Sequence, residues 1–336
     1  MCAEAILYEK EPEGVVSCRL CAHHCRILPG KRGICQVREN RDGTLFSLVY
    51  GRLVAQNIDP IEKKPLYHFQ PGSLSCSIAT AGCNMSCTHC QNFQISKEAP
   101  TLSPIPGKRT SSEDIVRCAV SAGCRSISYT YTEPTIFMEF AMECAEKAKK
   151  RGLANVFVTN GYMSEEATDL ASGFLDAANI DLKGASDEHY REICGARIKP
   201  VLNTIEKLHE KGVWIELTTL VIPGLNDDRE SLQFISSFIA SISNAIPWHV
   251  SGFFPTYRML NRPPTTLKTL ETAAQIGREA GLRYVYLGNV QQKEDVTHCH
   301  QCGQVLINRS GYAVKVLDIT PSGQCGRCGA KFDGVK

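Results

Sequence analysis

From about residue 73 to residue 292, short β-rich apolar runs alternate with longer amphipathic stretches. The runs at residues 75–80, 125–131, 154–159, 177–182, 214–221, 248–252 and 284–287 predict strands. The stretches between them, at 112–122, 135–151, 164–172, 201–211, 229–243 and 265–280, predict helices. In the second helix Ile136, Phe140 and Cys144 recur on one stripe, the spacing of a face turned to a core. Strand–helix alternation on this scale predicts a parallel sheet with helical crossovers, either open or closed into a barrel. The expected class is therefore α/β.

The flanks break this rhythm. Residues 1–72 carry Cys18, Cys21, Cys25 and Cys35 and end in a Pro- and Gly-marked stretch from Pro60 to Gly72. Residues 293–336 carry Cys299, Cys302, Cys325 and Cys328, with a β-rich hairpin expected at 305–318. The expected division is thus an N-terminal four-cysteine module, 1–72, a core, 73–292, and a small C-terminal module, 293–336.

Composition narrows the setting. The chain has 336 residues, 43% apolar and 21% charged, as an ordinary globular protein has. Its 37 basic and 35 acidic residues nearly cancel, which argues against a broad nucleic-acid or anionic-membrane footprint. The N-terminal segment is acidic and lacks an apolar core, and no apolar run reaches membrane length, so a cytoplasmic protein without a membrane partner is expected. Of the 17 cysteines, 11 fall into three tight groups. Short-range clustering in a long chain points to metal rather than to disulfides.

Each group has its own chemistry. Cys299-x2-Cys302 and Cys325-x2-Cys328 are two knuckles separated by a hairpin, the arrangement of a zinc ribbon; four thiolates close the shell around a structural ion. The set Cys18-x2-Cys21-x3-Cys25-x9-Cys35 is less regular, with zinc the first reading and an auxiliary iron–sulfur cluster the rival. Cys83-x3-Cys87-x2-Cys90 has three thiols, not four. Wrapped around a cube of four irons, it leaves one iron without a protein ligand, and an open position is where a metal does chemistry. His23, His24, His298 and His300 read as exposed neighbours of these groups, and Cys194 as a small buried hydrophobe.

In a βα barrel the working residues follow the strands' C-terminal ends. The cysteine triplet follows the first expected strand, Thr132-Glu133-Pro134 the second, Thr159-Asn160-Gly161 the third and Asp181-Leu182-Lys183 the fourth. Pro223-Gly224-Leu225-Asn226-Asp227 follows the fifth and Phe254-Pro255-Thr256-Tyr257 the sixth.

These residues resemble the radical S-adenosylmethionine (SAM) superfamily, in its organic-radical-activating branch typified by pyruvate formate-lyase activating enzyme. The resemblance rests on Cys83/Cys87/Cys90 with Gln91-Asn92, on Glu133-Pro134, Thr159–Gly161 and Asp181–Lys183, and on Val221-Ile222-Pro223-Gly224. The flanking Cys18–Cys25, Gly33–Arg38 and Asp59–His68 segments and the C-terminal knuckles are similar to the AmmeMemoRadiSam-system radical SAM enzyme. The resemblance implies a partial (β/α)6 TIM-type barrel and a 4Fe-4S cluster on Cys83, Cys87 and Cys90 whose open iron chelates SAM. Reductive cleavage would then give a 5′-deoxyadenosyl radical that abstracts hydrogen from a protein or small-molecule target. It assigns the methionine ammonium to Glu133, the methionine carboxylate to Lys183, the ribose or carboxylate to Asn160 and the adenine to the backbone at His89. It also implies a low-potential electron donor such as flavodoxin or ferredoxin. A glycyl-radical activase is one candidate function; RNA or cofactor modification, and an inactive metal-binding scaffold, are the rivals. Two departures stand out: Tyr131-Thr132 replace the usual Gly-Gly before Glu-Pro, and Val158 replaces an aspartate before Thr-Asn-Gly.

Overall fold

The computed structural model describes residues 2–290 and 295–336. The expected start of the C-terminal module at residue 293 lies outside the described residues. Seven strands run parallel in chain order: β1 (Leu74–Thr80), β2 (Ser126–Tyr129), β3 (Ala154–Thr159), β4 (Ala177–Asp181), β5 (Trp214–Val221), β6 (Trp248–Gly252) and β7 (Val285–Gly288). Registers such as Ser126↔Ser75, Ala177↔Trp214 and Val250↔Leu287 align their C-terminal ends at one rim. Strand Arg52–Pro60 pairs antiparallel with β1, and Lys108–Arg109 with that strand, completing a nine-stranded sheet.

The crossovers are α1 (Ser112–Ser121), α2 (Met138–Lys149), α3 (Glu165–Ser172), α4 (Ile198–Glu210), α5 (Arg229–Ile242) and α6 (Leu267–Glu279). Each turns a buried stripe inward; α4 buries Val201, Ile205 and Leu208 at helical spacing. Side chains of Ser111, Ser164, Asp228 and Thr266 accept from the backbone N–H three residues on, capping α1, α3, α5 and α6 at about 1 kcal/mol each. Many boundaries shift by one or two residues, and two differ for a structural reason. Helix α4 begins three residues early because Pro200 sits in its first turn, where its missing N–H has no intrahelical partner to lose. Residues Pro134–Phe137 form a 3-10 turn ahead of α2.

Two small antiparallel sheets precede the barrel, one of Ala3–Glu4, Thr44–Ser47 and Arg38–Arg41, the other of Tyr8–Lys10, Val16–Cys18 and Arg26–Ile27. After it comes a third, of Asp295–His298, Val305–Ser310 and Ala313–Val316. Segment 61–69 covers the barrel base. Glu216 on β5 accepts from the N–H groups of Tyr67 and His68 at 3.0 and 2.7 Å, and Asn179 on β4 donates to the Pro65 carbonyl at 2.8 Å. The C-terminal sheet closes over this segment. Buried Arg309 stacks 4.4 Å from the Tyr67 ring and donates to the Tyr67 carbonyl, and His68 Nδ1 donates to the Asp333 carbonyl at 2.6 Å. No described helix is long and apolar enough to cross a membrane.

Candidate functional site

The loop after β1 carries Cys83, Cys87, His89 and Cys90 onto one wall of a cavity of about 370 Å³. Glu133, Asn160 and Lys183, each from the loop after a different strand, line the same cavity. The strand-end rule therefore brings together seven of the residues singled out from the sequence. A larger cavity of about 680 Å³ lies outside the barrel, against α4 and the N-terminus of α3. Its Lys207 is already paired with Asp169 at 2.7 Å, and the cysteine triplet does not reach it.

Burial sets the protonation of this wall. It pushes the Cys83 thiol up to about 12. Contact with the Cys194 thiol, then burial, pushes Cys87 well above the ordinary thiol range. Both stay protonated until a metal displaces the proton. His89 is pushed down to about 3 by burial, so its imidazole is neutral; its Nδ1 is buried with no hydrogen-bond partner among the described residues.

Glu133 is fully buried, and burial raises its carboxyl above the usual range. Its Oε1 accepts from Thr135 N, Thr135 Oγ1 and Thr159 Oγ1 at 3.0, 2.6 and 2.7 Å, while among the described residues Oε2 accepts only from Asn160 N, at 2.8 Å. One oxygen is thus fixed and the other keeps capacity for a further donor. Burial by itself would lower Lys183, but Asp181, 2.6 Å away, holds it well above the ordinary lysine value as a cation. The Asn160 amide donates to Asn84 Oδ1 at 2.8 Å and to Cys83 Sγ at 3.6 Å, and its Oδ1 accepts from Tyr162 N at 2.9 Å. Its polar atoms hold the cysteine loop against the loop after β3.

Tyr131 has φ 61°, a left-handed conformation in the position where the resemblance leads one to expect glycine. The turn keeps its shape at a cost of about 1–2 kcal/mol. The phenol donates to Asp59, and Lys64, 2.7 Å from Asp59, lies 4.7 Å from the ring.

Two residues escaped sequence reasoning. Cys194, read as an inert buried thiol, is fully buried but touches Cys87. Gly195, with φ 65°, lets the segment Tyr190–Cys194 press on the cysteine loop, whose Ser86 and Thr88 N–H groups donate to the carbonyls of Cys194 and Ile193 at 2.8 and 2.9 Å. The Glu-Ile-Cys-Gly run was visible, but only its fold brings it to the loop. His23, expected at the surface, is half-buried and sits 2.7 Å from the Asn84 carbonyl.

The three thiols suit an iron–sulfur cluster better than a single ion. Their sulfurs are not gathered within 4.8 Å of one another, and the cavity in front of them has the volume of a small-molecule site. The C-terminal four are gathered: Cys299 and Cys328 lie 3.6 Å apart at sulfur, Cys302 and Cys325 3.8 Å.

Comparison with known proteins agrees with this geometry. Residues 77–235 match the model of the Radical SAM superfamily. An uncharacterized protein of Methanocaldococcus jannaschii is 42% identical over 335 residues, 99% of each chain. The pyruvate formate-lyase 1-activating enzyme of Escherichia coli is 23% identical over 224 residues, 61% of this chain and 89% of that one. A radical SAM methyltransferase from Sphaerobacter thermophilus shares the fold at a TM-score of 0.50 and 16% identity, covering 70% of this chain and 71% of that one.

Proposed function

The chain belongs to the radical SAM superfamily and is an enzyme, and we propose that it generates a 5′-deoxyadenosyl radical that abstracts a hydrogen atom from a protein target, leaving as 5′-deoxyadenosine. The observation that carries this reading is the convergence of Cys83, Cys87 and Cys90 on the cavity that Glu133, Asn160 and Lys183 also line. A 4Fe-4S cluster on the three thiolates would supply the electron that splits bound SAM into methionine and that radical.

The protein's own part is positioning. Glu133 Oε2 would accept from the methionine ammonium, a charge-assisted bond whose geometry Thr135 and Thr159 fix in advance through Oε1. Lys183, a half-buried cation, would exchange Asp181 for the methionine carboxylate. The backbone at His89 would meet the adenine, with the neutral imidazole beside it. Asn160 orients the Cys83 sulfur through its amide, which supports a role in holding the loop more than in gripping the ribose.

A protein target, reached as a glycyl-radical activase reaches its partner, fits the likeness to an activating enzyme. A flavodoxin or ferredoxin would serve as reductant. The C-terminal thiols match structural zinc, whose bonds of about 2.3 Å put tetrahedral sulfurs about 3.8 Å apart.

The test is anaerobic reconstitution with iron and sulfide, then dithionite and SAM. Release of 5′-deoxyadenosine that vanishes in Cys87→Ala is expected. A protein loaded with its full iron and sulfide that releases none would overturn the reading.

A further inference from the structure

The thiol sets at the two ends of the chain differ in size. Zinc–thiolate bonds of about 2.3 Å place four tetrahedral sulfurs about 3.8 Å apart, so any three fall well within 4.8 Å. Among the described residues Cys299, Cys302, Cys325 and Cys328 meet that condition, and Cys18, Cys21, Cys25 and Cys35 do not. Yet Cys18, Cys21, Cys25 and Cys35 do converge: all four line one small enclosed pocket, walled by apolar residues that include Leu20, Ile27 and Ile136. The pocket volume is about 10 Å³, room for the centre of roughly one water-sized sphere. Sulfurs about 2.3 Å from a central zinc would leave no such room. An iron–sulfur cluster inserts its own irons and sulfides, spreading its thiolates to roughly 6 Å.

A second observation marks these thiols as ligands of a negatively charged metal centre, though it does not by itself separate a cluster from zinc. Arg38 is 1% exposed, and its Nη1 donates to Cys18 Sγ at 3.4 Å while Nη2 is paired with Glu139. A buried guanidinium aimed at a ligating sulfur stabilises the negative charge a cluster carries, and hydrogen bonds to sulfur are a lever on cluster potential.

We propose that Cys18, Cys21, Cys25 and Cys35 hold a second iron–sulfur cluster rather than zinc. It sits beside the first site. A Cβ on Gly82, the residue before Cys83, would stand 3.1 Å from the Cys35 carbonyl and 2.7 Å from Val37, and the His23 ring bridges to the Asn84 carbonyl. The inference concerns metal identity and holds whether or not SAM is cleaved at the neighbouring triplet.

The test uses the full chain with Cys83, Cys87 and Cys90 all changed to alanine, purified and reconstituted without oxygen. Iron with an equal amount of sulfide, about four of each per chain, one zinc and a paramagnetic signal on dithionite reduction are expected. A smaller cluster, with iron still matched by sulfide, also supports the proposal. A second zinc, iron without sulfide, or no metal at these four thiols overturns it. If the triple variant does not fold, the wild-type protein decides: about eight iron and one zinc per chain supports, about four iron and two zinc overturns.

Discussion

Gly195 and Ser86 are packed so closely that a Cβ on Gly195 would stand 2.1 Å from Ser86 Oγ. A side chain here would have to drive the Ser86 hydroxyl off the cysteine loop's present packing, in a backbone conformation of φ 65° that favours glycine. Gly195→Ala is expected to displace the loop and to lower iron loading at the triplet several-fold. Gly152→Ala is the control: φ is 69° but nothing lies within 4 Å, so about 1 kcal/mol of stability is lost and iron content holds. Iron assays on both variants decide, and equal loading would sink the idea.

Glu133→Gln replaces an acceptor-only carboxylate with an amide whose NH2 faces donors. Loss of a charge-assisted hydrogen bond, about 1.5–3 kcal/mol, should weaken SAM binding roughly 10- to 150-fold in the cluster-loaded protein. Calorimetric titration measures it. Unchanged affinity would remove Glu133 from the ligand's contacts.

Cys302→Ser with Cys325→Ser should lose one zinc per chain and leave the iron unchanged. Because Arg309 and Asp333 from that module bind Tyr67 and His68 at the barrel base, the thermal midpoint should fall by about 5–10 °C. A midpoint that stays put would show that the module rides on the barrel without supporting it.

His68 gives the base an acid limit. Burial depresses its imidazole from 6.5 to about 4, against the pull of Glu216. The neutral form belongs to the fold, so its contribution is complete above pH 6.5 and is lost as pH falls towards 4. At full protonation the cost is roughly 3 kcal/mol. Denaturant midpoints of wild type and His68→Gln, followed from pH 7 to 4, should show a flatter curve in the variant. Parallel curves would refute the assignment.

The seven strands were legible because each is an apolar run set off from an amphipathic helix, and parallel order follows from that alternation. The rim residues Glu133, Asn160 and Lys183 could be singled out because each follows a strand within a motif that the resemblance carries. What could not be read is what depends on distant pairing. Strand Arg52–Pro60 lies outside the alternating region, yet it joins the barrel sheet through β1. Cys194 and Gly195 reach the cysteine loop only through the turn after β4. Residue spacing distinguished the two knuckles as a tight set but could not give the width of Cys18–Cys35, since loops of three and nine residues close around either a small or a large centre.

Glu133, Asn160 and Lys183 each hang from a different crossover, whereas the four cysteine-loop residues share one. The turn after β6 leans on the cysteine loop: Tyr257 stacks on Phe93 with ring centres 4.6 Å apart, and the Arg258 N–H binds the Thr88 carbonyl. Rewriting that turn would therefore be felt at Cys87 and Cys90, so variation at the sixth crossover is tied to the placement of the thiols.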